Sequence, residues 1–172
     1  QGFSVAGKRI VDDERNKLYK GFVRMVAYFK PSAFVMENVP NILSIGKGVV
    51  KQSILDDFQN LGYHVETKVL LASDYGVPQN RRRAILVGLR NGVFDFNIPT
   101  VEHLVTTEEA LSDLTEDSIA DETPYPIAPS CDYQRLMRAS SKVVWNHDIT
   151  QHSEQTKRII AMVPDGGNYK DL

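Results

Sequence analysis

The order of helix-like and strand-like segments in the first ninety residues constrains the fold of this chain more than any other feature. A helical spacing of apolar residues ends at Pro31, and the continuous apolar run 33–36 that follows is typical of a strand buried on both faces. A second helical pattern ends at Gly62. Residues 63–71 and 84–89 then resemble strands, separated by a loop over 74–82.

This alternation predicts an α/β sheet covered by helices. No helix separates the last two strands, so we expect them to pair antiparallel at one edge of the sheet. Beyond residue 91 the pattern weakens. It predicts a helix within 106–114, an extended proline-bearing stretch over 124–129 and a short helix over 153–163.

Composition excludes several classes of protein. The 172 residues contain one Cys, so neither an internal disulfide framework nor a cysteine-rich zinc module is expected. No apolar run approaches the roughly 20 residues of a membrane-spanning helix, and no leader pattern opens the chain. Charge is unevenly distributed: residues 1–90 carry 14 basic and 8 acidic side chains, whereas ten acidic residues and no basic one lie between Arg90 and Arg135. A uniformly basic nucleic-acid surface is therefore not predicted.

Glu37 is the first candidate for chemistry, because it follows a buried strand. Ligands of open α/β sheets bind at the carboxyl ends of strands. A carboxylate in apolar surroundings holds a proton more readily and is able to donate it. The alternative is a strand-end glutamate that caps a turn or faces water.

The second candidate is the run from Gln79 to Arg83, which contains three consecutive arginines. In an extended chain Arg81 and Arg83 point one way and Arg82 the other. Arg83 then borders the buried strand 84–86, where its guanidinium needs a carboxylate, a phosphate or a polar ligand. A charged, solvated strand edge is the equally open alternative.

Other motifs give weaker signals. Gly46-Lys47-Gly48 is too short for a phosphate loop, and no dinucleotide or Walker pattern is present. The four histidines lack metal-binding spacing, so no metal is predicted. Cys131 has no evident activating partner and is not expected to be a nucleophile.

Taken together, these residues resemble the DNA (cytosine-5) methyltransferase family. Gln1-Gly2-Phe3-Ser4 matches the end of its Pro-Cys-Gln-Gly-Phe-Ser catalytic loop, and Glu37-Asn38-Val39 matches its Glu-Asn-Val motif. Its Gln-x-Arg-x-Arg motif is matched by Gln79, Arg81 and Arg83. The order and separations of these motifs are also similar to those in the family, and the later His152-Ser153 and 164–167 patterns fit more loosely.

The resemblance implies an α/β fold: the second half of a Rossmann-like, S-adenosylmethionine-dependent methyltransferase sheet with the start of a target-recognition region. It implies three regions. Residues 1–98 form the C-terminal half of the catalytic domain, 99–130 an acidic, proline-rich connector, and 131–172 the lead-in to the target-recognition domain.

The family's site residues carry over by position. Glu37 would be the acid that stabilises the attacked cytosine ring, Arg83 would contact the base carbonyl oxygen, and Arg81 would position the active-site loop. Four further residues would bind the flipped base and its surroundings: Gln1, Ser4, Asn38 and Gln79.

The family's catalytic Pro-Cys would immediately precede Gln1, and its glycine-rich cofactor motif is not in the sequence. We therefore expect an internal fragment, inactive alone, of a cytoplasmic, nucleoid-associated enzyme. That enzyme would transfer methyl from S-adenosylmethionine to double-stranded DNA, of the bacterial restriction–modification type and with a restriction endonuclease as a possible partner. Two alternatives stay open: a tRNA cytosine-5 methyltransferase on the same scaffold, and a catalytically dead DNA-binding or regulatory relative.

Overall fold

The computed structural model describes residues 18–115, 117–164 and 166–172. The chain divides into two compact units, Gln1–Thr107 and Glu108–Leu172. Each unit mixes helices with a small sheet, so the predicted α/β class is confirmed at that level. The three predicted functional regions, with boundaries at 98 and 130, stay predictions.

The first helix, α1, spans Tyr19–Phe29 and ends as the sequence indicates. Lys30 adopts a left-handed conformation (φ 48°) and its N–H donates to Val26 O at 2.9 Å. Pro31 follows and lacks the N–H that a further helical turn requires. The chain then turns directly into the first strand.

The described residues of the first unit contribute three strands to its sheet. They are β1 (Ala33–Asn38), β2 (His64–Leu71) and β3 (Arg82–Leu89), with the helix α2 (Val49–Asn60) between β1 and β2. Their order is β1-β3-β2, and β3 is antiparallel to both neighbours. The predicted antiparallel pairing of the last two strands is confirmed, but of these two strands β2 lies at an edge of the described sheet and β3 is central. Consequently β1 and β2 run parallel to each other.

The core of this unit covers one face of the sheet only. Phe34, Met36 and Leu86 pack there against Phe58 and Ile54 of α2. The opposite face is covered only in part by the described residues: Val35 is 63% exposed, whereas its cross-strand partner Val87 is 6% exposed. The prediction that β1 is buried on both faces is therefore wrong for this part of the chain, where burial alternates along the strand.

After β3 an extended segment passes back along β2. Lys68 Nζ donates to Phe96 O at 3.1 Å, and Val101 N donates to Asp74 O at 2.8 Å. These contacts lead the chain to a short helix, α3 (Thr107–Leu111), which occupies only part of the predicted helical stretch 106–114.

Besides most of α3 and a 3-10 turn over Tyr169–Asp171, the described residues of the second unit form two short α-helices and a two-stranded ladder. These are β4 (Thr123–Pro124), α4 (Asp132–Met137), β5 (Val143–Val144) and α5 (Glu154–Met162). The predicted helix over 153–163 is confirmed, and Ser153 caps it by accepting a hydrogen bond from Thr156 N at 3.2 Å.

Polar side chains form much of the interior of the second unit. Gln134 is 1% exposed, and its Nε2 donates to Glu109 O and to Ser112 Oγ. The guanidinium of Arg138 pairs with the buried carboxylate of Asp113. The same guanidinium lies 3.7 Å from the centre of the Tyr125 ring. The sequence contains no signal for this pair, because its members are 25 residues apart and belong to no motif.

Candidate active site

The sheet brings the predicted motifs to one end of the first unit. Because β3 is antiparallel to its neighbours, the carboxyl ends of β1 and β2 lie beside the amino end of β3. Asn38 is in register with Ala84, and Leu71 with Arg82. Two distant motifs, the end of β1 and the start of β3, therefore become neighbours where ligands bind in α/β sheets.

Glu37 and Arg83 form an ion pair at this end. Glu37 lies opposite Ile85, so Arg83 is its diagonal neighbour on the same face of the sheet. Arg83 Nε lies 2.6 Å from Glu37 Oε1, and its Nη1 donates to Arg82 O at 2.7 Å. The sequence predicted that Arg83 needs a carboxylate or a polar ligand, and Glu37 supplies the carboxylate.

The surroundings of Glu37 differ from the sequence-based expectation. Its side chain is 52% exposed and contacts a guanidinium, whereas apolar surroundings were predicted. The error arose because the run 33–36 was interpreted as buried on both faces, although its alternate residues face solvent. The carboxylate here is held at the strand end by its ion pair with Arg83.

The segment that leads into β3 is shaped by its own backbone. Gln79 N donates to Val77 O at 2.7 Å, and Arg81 N donates to Gln79 O at 2.9 Å. Arg81 O in turn accepts from Ala72 N at 2.9 Å, which ties this segment to the end of β2. The side chains of Gln79 and Arg81 are exposed at the same end of the sheet, and Arg81 forms no ion pair with any described residue.

Asn38 has a different orientation from Glu37. Neighbouring residues of a strand face opposite sides of the sheet, and Asn38 Oδ1 accepts a hydrogen bond from Val39 N at 2.8 Å. Its oxygen thus stabilises the turn that ends β1. Gln1 and Ser4 lie outside the described residues.

Neither a metal site nor a membrane span is found in this part of the chain. No group of three His, Cys, Asp or Glu side chains among the described residues is arranged to hold a metal ion. No described helix is long and apolar enough to cross a membrane.

A cavity of about 240 Å³ lies between α2 and the start of β2, at the opposite end of the sheet from Glu37. Gln52, Gln59, His64 and Glu66 contribute its polar groups. A methyl donor held there would be remote from a base at Glu37.

The whole chain matches a known protein family and several of its members. The family model for C-5 cytosine-specific DNA methylases matches residues 1–169. The Type II methyltransferase M.DdeI of Desulfomicrobium norvegicum is 39% identical over 185 aligned residues, covering 100% of this chain and 45% of that protein. M.NgoFVII of Neisseria gonorrhoeae, also a Type II methyltransferase, is 35% identical, with 100% and 42% covered.

A solved structure agrees with the fold. A protein described as a DNA modification methyltransferase encoded within an E. coli prophage matches with a TM-score of 0.67 at 21% identity. The match covers 88% of this chain and 51% of that one. The chain thus spans about half the length of its relatives or less. On the family model and these relatives, the chain belongs to the C-5 cytosine-specific DNA methylase family.

Proposed function

We propose that this chain is the part of a bacterial DNA (cytosine-5) methyltransferase that supplies the acid and the arginines around a flipped cytosine. The ion pair between Glu37 and Arg83 carries the proposal, because it joins the family's two motifs at the carboxyl end of β1. The family membership and the names of the relatives support DNA as the substrate.

The reaction requires a proton donor at the position of Glu37. Carbon 5 of cytosine is a poor nucleophile until a thiolate adds to carbon 6 and converts the ring to an enamine. The family's cysteine, which by resemblance precedes Gln1, would be that thiolate. Its addition moves electron density onto ring nitrogen 3, where a proton from Glu37 stabilises the intermediate. Once carbon 5 is methylated, a base takes its proton, the released electron pair re-forms the carbon 5–carbon 6 double bond as the thiolate leaves, and nitrogen 3 returns its proton to Glu37.

The arginines hold this arrangement. Before a base enters, the guanidinium of Arg83 fixes Glu37 at the strand end. Arg83 then contacts the carbonyl oxygen of the base, and Arg81 positions the loop that carries the cysteine.

The remaining site residues have supporting roles in this proposal. Gln1, Ser4 and Gln79 line the pocket of the flipped base and its backbone approach. Asn38 contributes to base binding indirectly: its Oδ1 accepts a hydrogen bond from Val39 N and so stabilises the turn that follows Glu37. S-adenosylmethionine supplies the methyl group when bound, and we assign its binding to parts of the protein outside the described residues.

The same proposal covers the architecture. The sheet β1-β3-β2 is the second half of a Rossmann-like sheet, and the rest of the protein covers the face on which Val35 is exposed. Residues 99–130 connect the catalytic region to target recognition, which begins within 131–172. The enzyme acts on nucleoid DNA in the cytoplasm and protects it from a companion restriction endonuclease.

The test uses the whole protein that contains this chain, with labelled S-adenosylmethionine and unmethylated genomic DNA, which holds every short recognition sequence. We expect methyl transfer to DNA and none to tRNA. Glu37→Gln should lower the rate of transfer by roughly 10²- to 10⁴-fold, the usual contribution of a positioned acid, and leave DNA affinity unchanged. Transfer to tRNA alone, or to neither, would overturn the proposal.

Glu66→Gln is the matched control. Glu66 lies on the same face of the sheet, but in register with Val87 and away from the ion pair. It should retain wild-type transfer. If Glu37→Gln weakens DNA binding as much as it slows transfer, Glu37 is a binding residue and its role as the acid is wrong.

A further inference from the structure

The loop between β1 and α2 holds a lysine at the same end of the sheet as the Glu37–Arg83 pair. After Asn38 the chain forms two 3-10 turns, Pro40–Leu43 and Ile45–Gly48, and then enters α2. Ile42 is 0% exposed and Ile45 is 7% exposed, and both belong to the core of the first unit. These two buried side chains therefore anchor the tip of the loop, residues 46–48, to the core.

Lys47 occupies an unusual backbone conformation at this tip. Gly46 (φ 61°), Lys47 (φ 56°) and Gly48 (φ 89°) are all left-handed. Glycine adopts this region freely, whereas a side chain at Cβ makes it unfavourable. A third glycine would suit the backbone better, so the fold gives no reason for a lysine here.

The side chain of Lys47 also has no polar partner among the described residues. It is exposed and forms no hydrogen bond or ion pair with any of them. Two more exposed cations lie at this end of the sheet, Arg81 and Arg82, and neither has a carboxylate partner among the described residues. Only Arg83 is neutralised, by Glu37. Two carboxylates, Asp74 and Glu102, lie near the end of β2, so the three cations without a carboxylate partner still outnumber them at this end of the sheet.

We propose that Lys47 binds a phosphate of the DNA backbone beside the target base. The inference rests on the proposed function and extends it by a residue outside the three matched motifs. A protein that rotates a base out of a duplex must hold the flanking backbone, and lysines and arginines make such contacts. The anchored loop would keep the ammonium of Lys47 at a constant distance from Glu37 and so help to set the position of the duplex.

The test measures how DNA affinity depends on salt. Each phosphate neutralised contributes a slope of about −0.9 to log K against log salt concentration, independent of sequence. A duplex of random sequence therefore serves as the probe, although the recognition sequence is unknown. In the whole protein, Lys47→Gly should make the slope shallower by about 0.9 and weaken binding at low salt by roughly three- to tenfold.

Two variants control for other effects. Lys30→Gly removes another exposed, left-handed lysine among the described residues (φ 48°), which precedes β1 at the opposite end of the sheet. It should leave the slope unchanged. Lys47→Arg keeps the charge and should retain the wild-type slope. Because glycine suits the conformation at position 47, Lys47→Gly should unfold no more easily than the wild type, which a thermal melt verifies.

The outcomes separate the two proposals. If the wild type binds duplex DNA with a steep salt dependence and Lys47→Gly has the same slope, the role of Lys47 is wrong and the proposed function stands. If Lys30→Gly lowers the slope equally, the effect is one of net charge and Lys47 has no specific contact. If the wild type does not bind duplex DNA, the proposed function itself fails.

Discussion

Gly88 marks the tightest point in the core of the first unit. It lies in the central strand β3, opposite Phe34 of β1. A Cβ atom at position 88 would be 2.9 Å from Phe34 Cδ1 and closer still to two other ring atoms. The ring has little freedom to move away, because its centre lies 4.3 Å from that of Phe58, 5.2 Å from that of Tyr63 and 5.6 Å from that of Phe22.

We therefore expect Gly88→Ala to destabilise the protein strongly. Overfilling a packed core costs about 1–3 kcal/mol. Displacing Phe34 also disturbs its ring contacts, each of which contributes about 0.5–1.5 kcal/mol beyond buried area. The loss should thus reach about 2.5 kcal/mol or more, a large part of the roughly 5–15 kcal/mol that stabilises a typical domain.

Urea unfolding measures this loss as a lower midpoint at unchanged slope. Gly21→Ala is the control: a Cβ there meets only Arg24 Nη2 at 3.7 Å in the helix α1, so the protein should gain about 0.5–1 kcal/mol. Adding Phe34→Leu to Gly88→Ala should recover part of the loss, since a smaller side chain makes room for Cβ. If Gly88→Ala is as stable as the wild type, or if Phe34→Leu only adds its own loss, the steric argument is wrong.

Two further predictions concern ion pairs of different burial. Asp113→Asn leaves the guanidinium of Arg138 buried without its anion, with side chains 7% and 11% exposed, so the second unit should lose about 3–5 kcal/mol. Hydrogen exchange within 108–172 measures it, and unchanged protection there would contradict the prediction. Asp57→Asn breaks the 2.6 Å pair with Lys20, which is 46% exposed, and should cost only about 0.5 kcal/mol. The hydrogen bond to Asp57 raises the pKa of Lys20 above 10.5, so this contribution is present at lower pH and disappears as pH rises through the raised pKa. A difference between wild type and Asp57→Asn that persists at higher pH would refute this account.

The local elements of the first unit were predictable because each depends on near neighbours in sequence. The apolar spacing before Pro31 and the ending at Gly62 predicted α1 and α2, and the structure confirms both. The antiparallel pairing of β2 with β3 followed from the absence of a helix between them. The family was predicted from its motifs, because their order and spacing can be read directly from the sequence, and the family model confirms it.

Strand order and burial were not predictable in the same way. Nothing local indicates that β3 lies between β1 and β2, because that arrangement depends on pairing with β1, about fifty residues earlier in the chain. The apolar run 33–36 has the same composition whether one face or both are covered, so its exposed face was missed. The buried Asp113–Arg138 pair joins residues that share no motif.

The sequence by itself determined which residues are available for chemistry, namely Glu37, Arg81, Arg83 and their motif neighbours, because side-chain chemistry and spacing are written in the chain. Only the tertiary structure decided that Glu37 meets Arg83 at 2.6 Å while Asn38 Oδ1 accepts a hydrogen bond from Val39 N. The physical reason is the register of β1 with β3. It places residues 46 positions apart on one face of the sheet and turns the next residue to the other face.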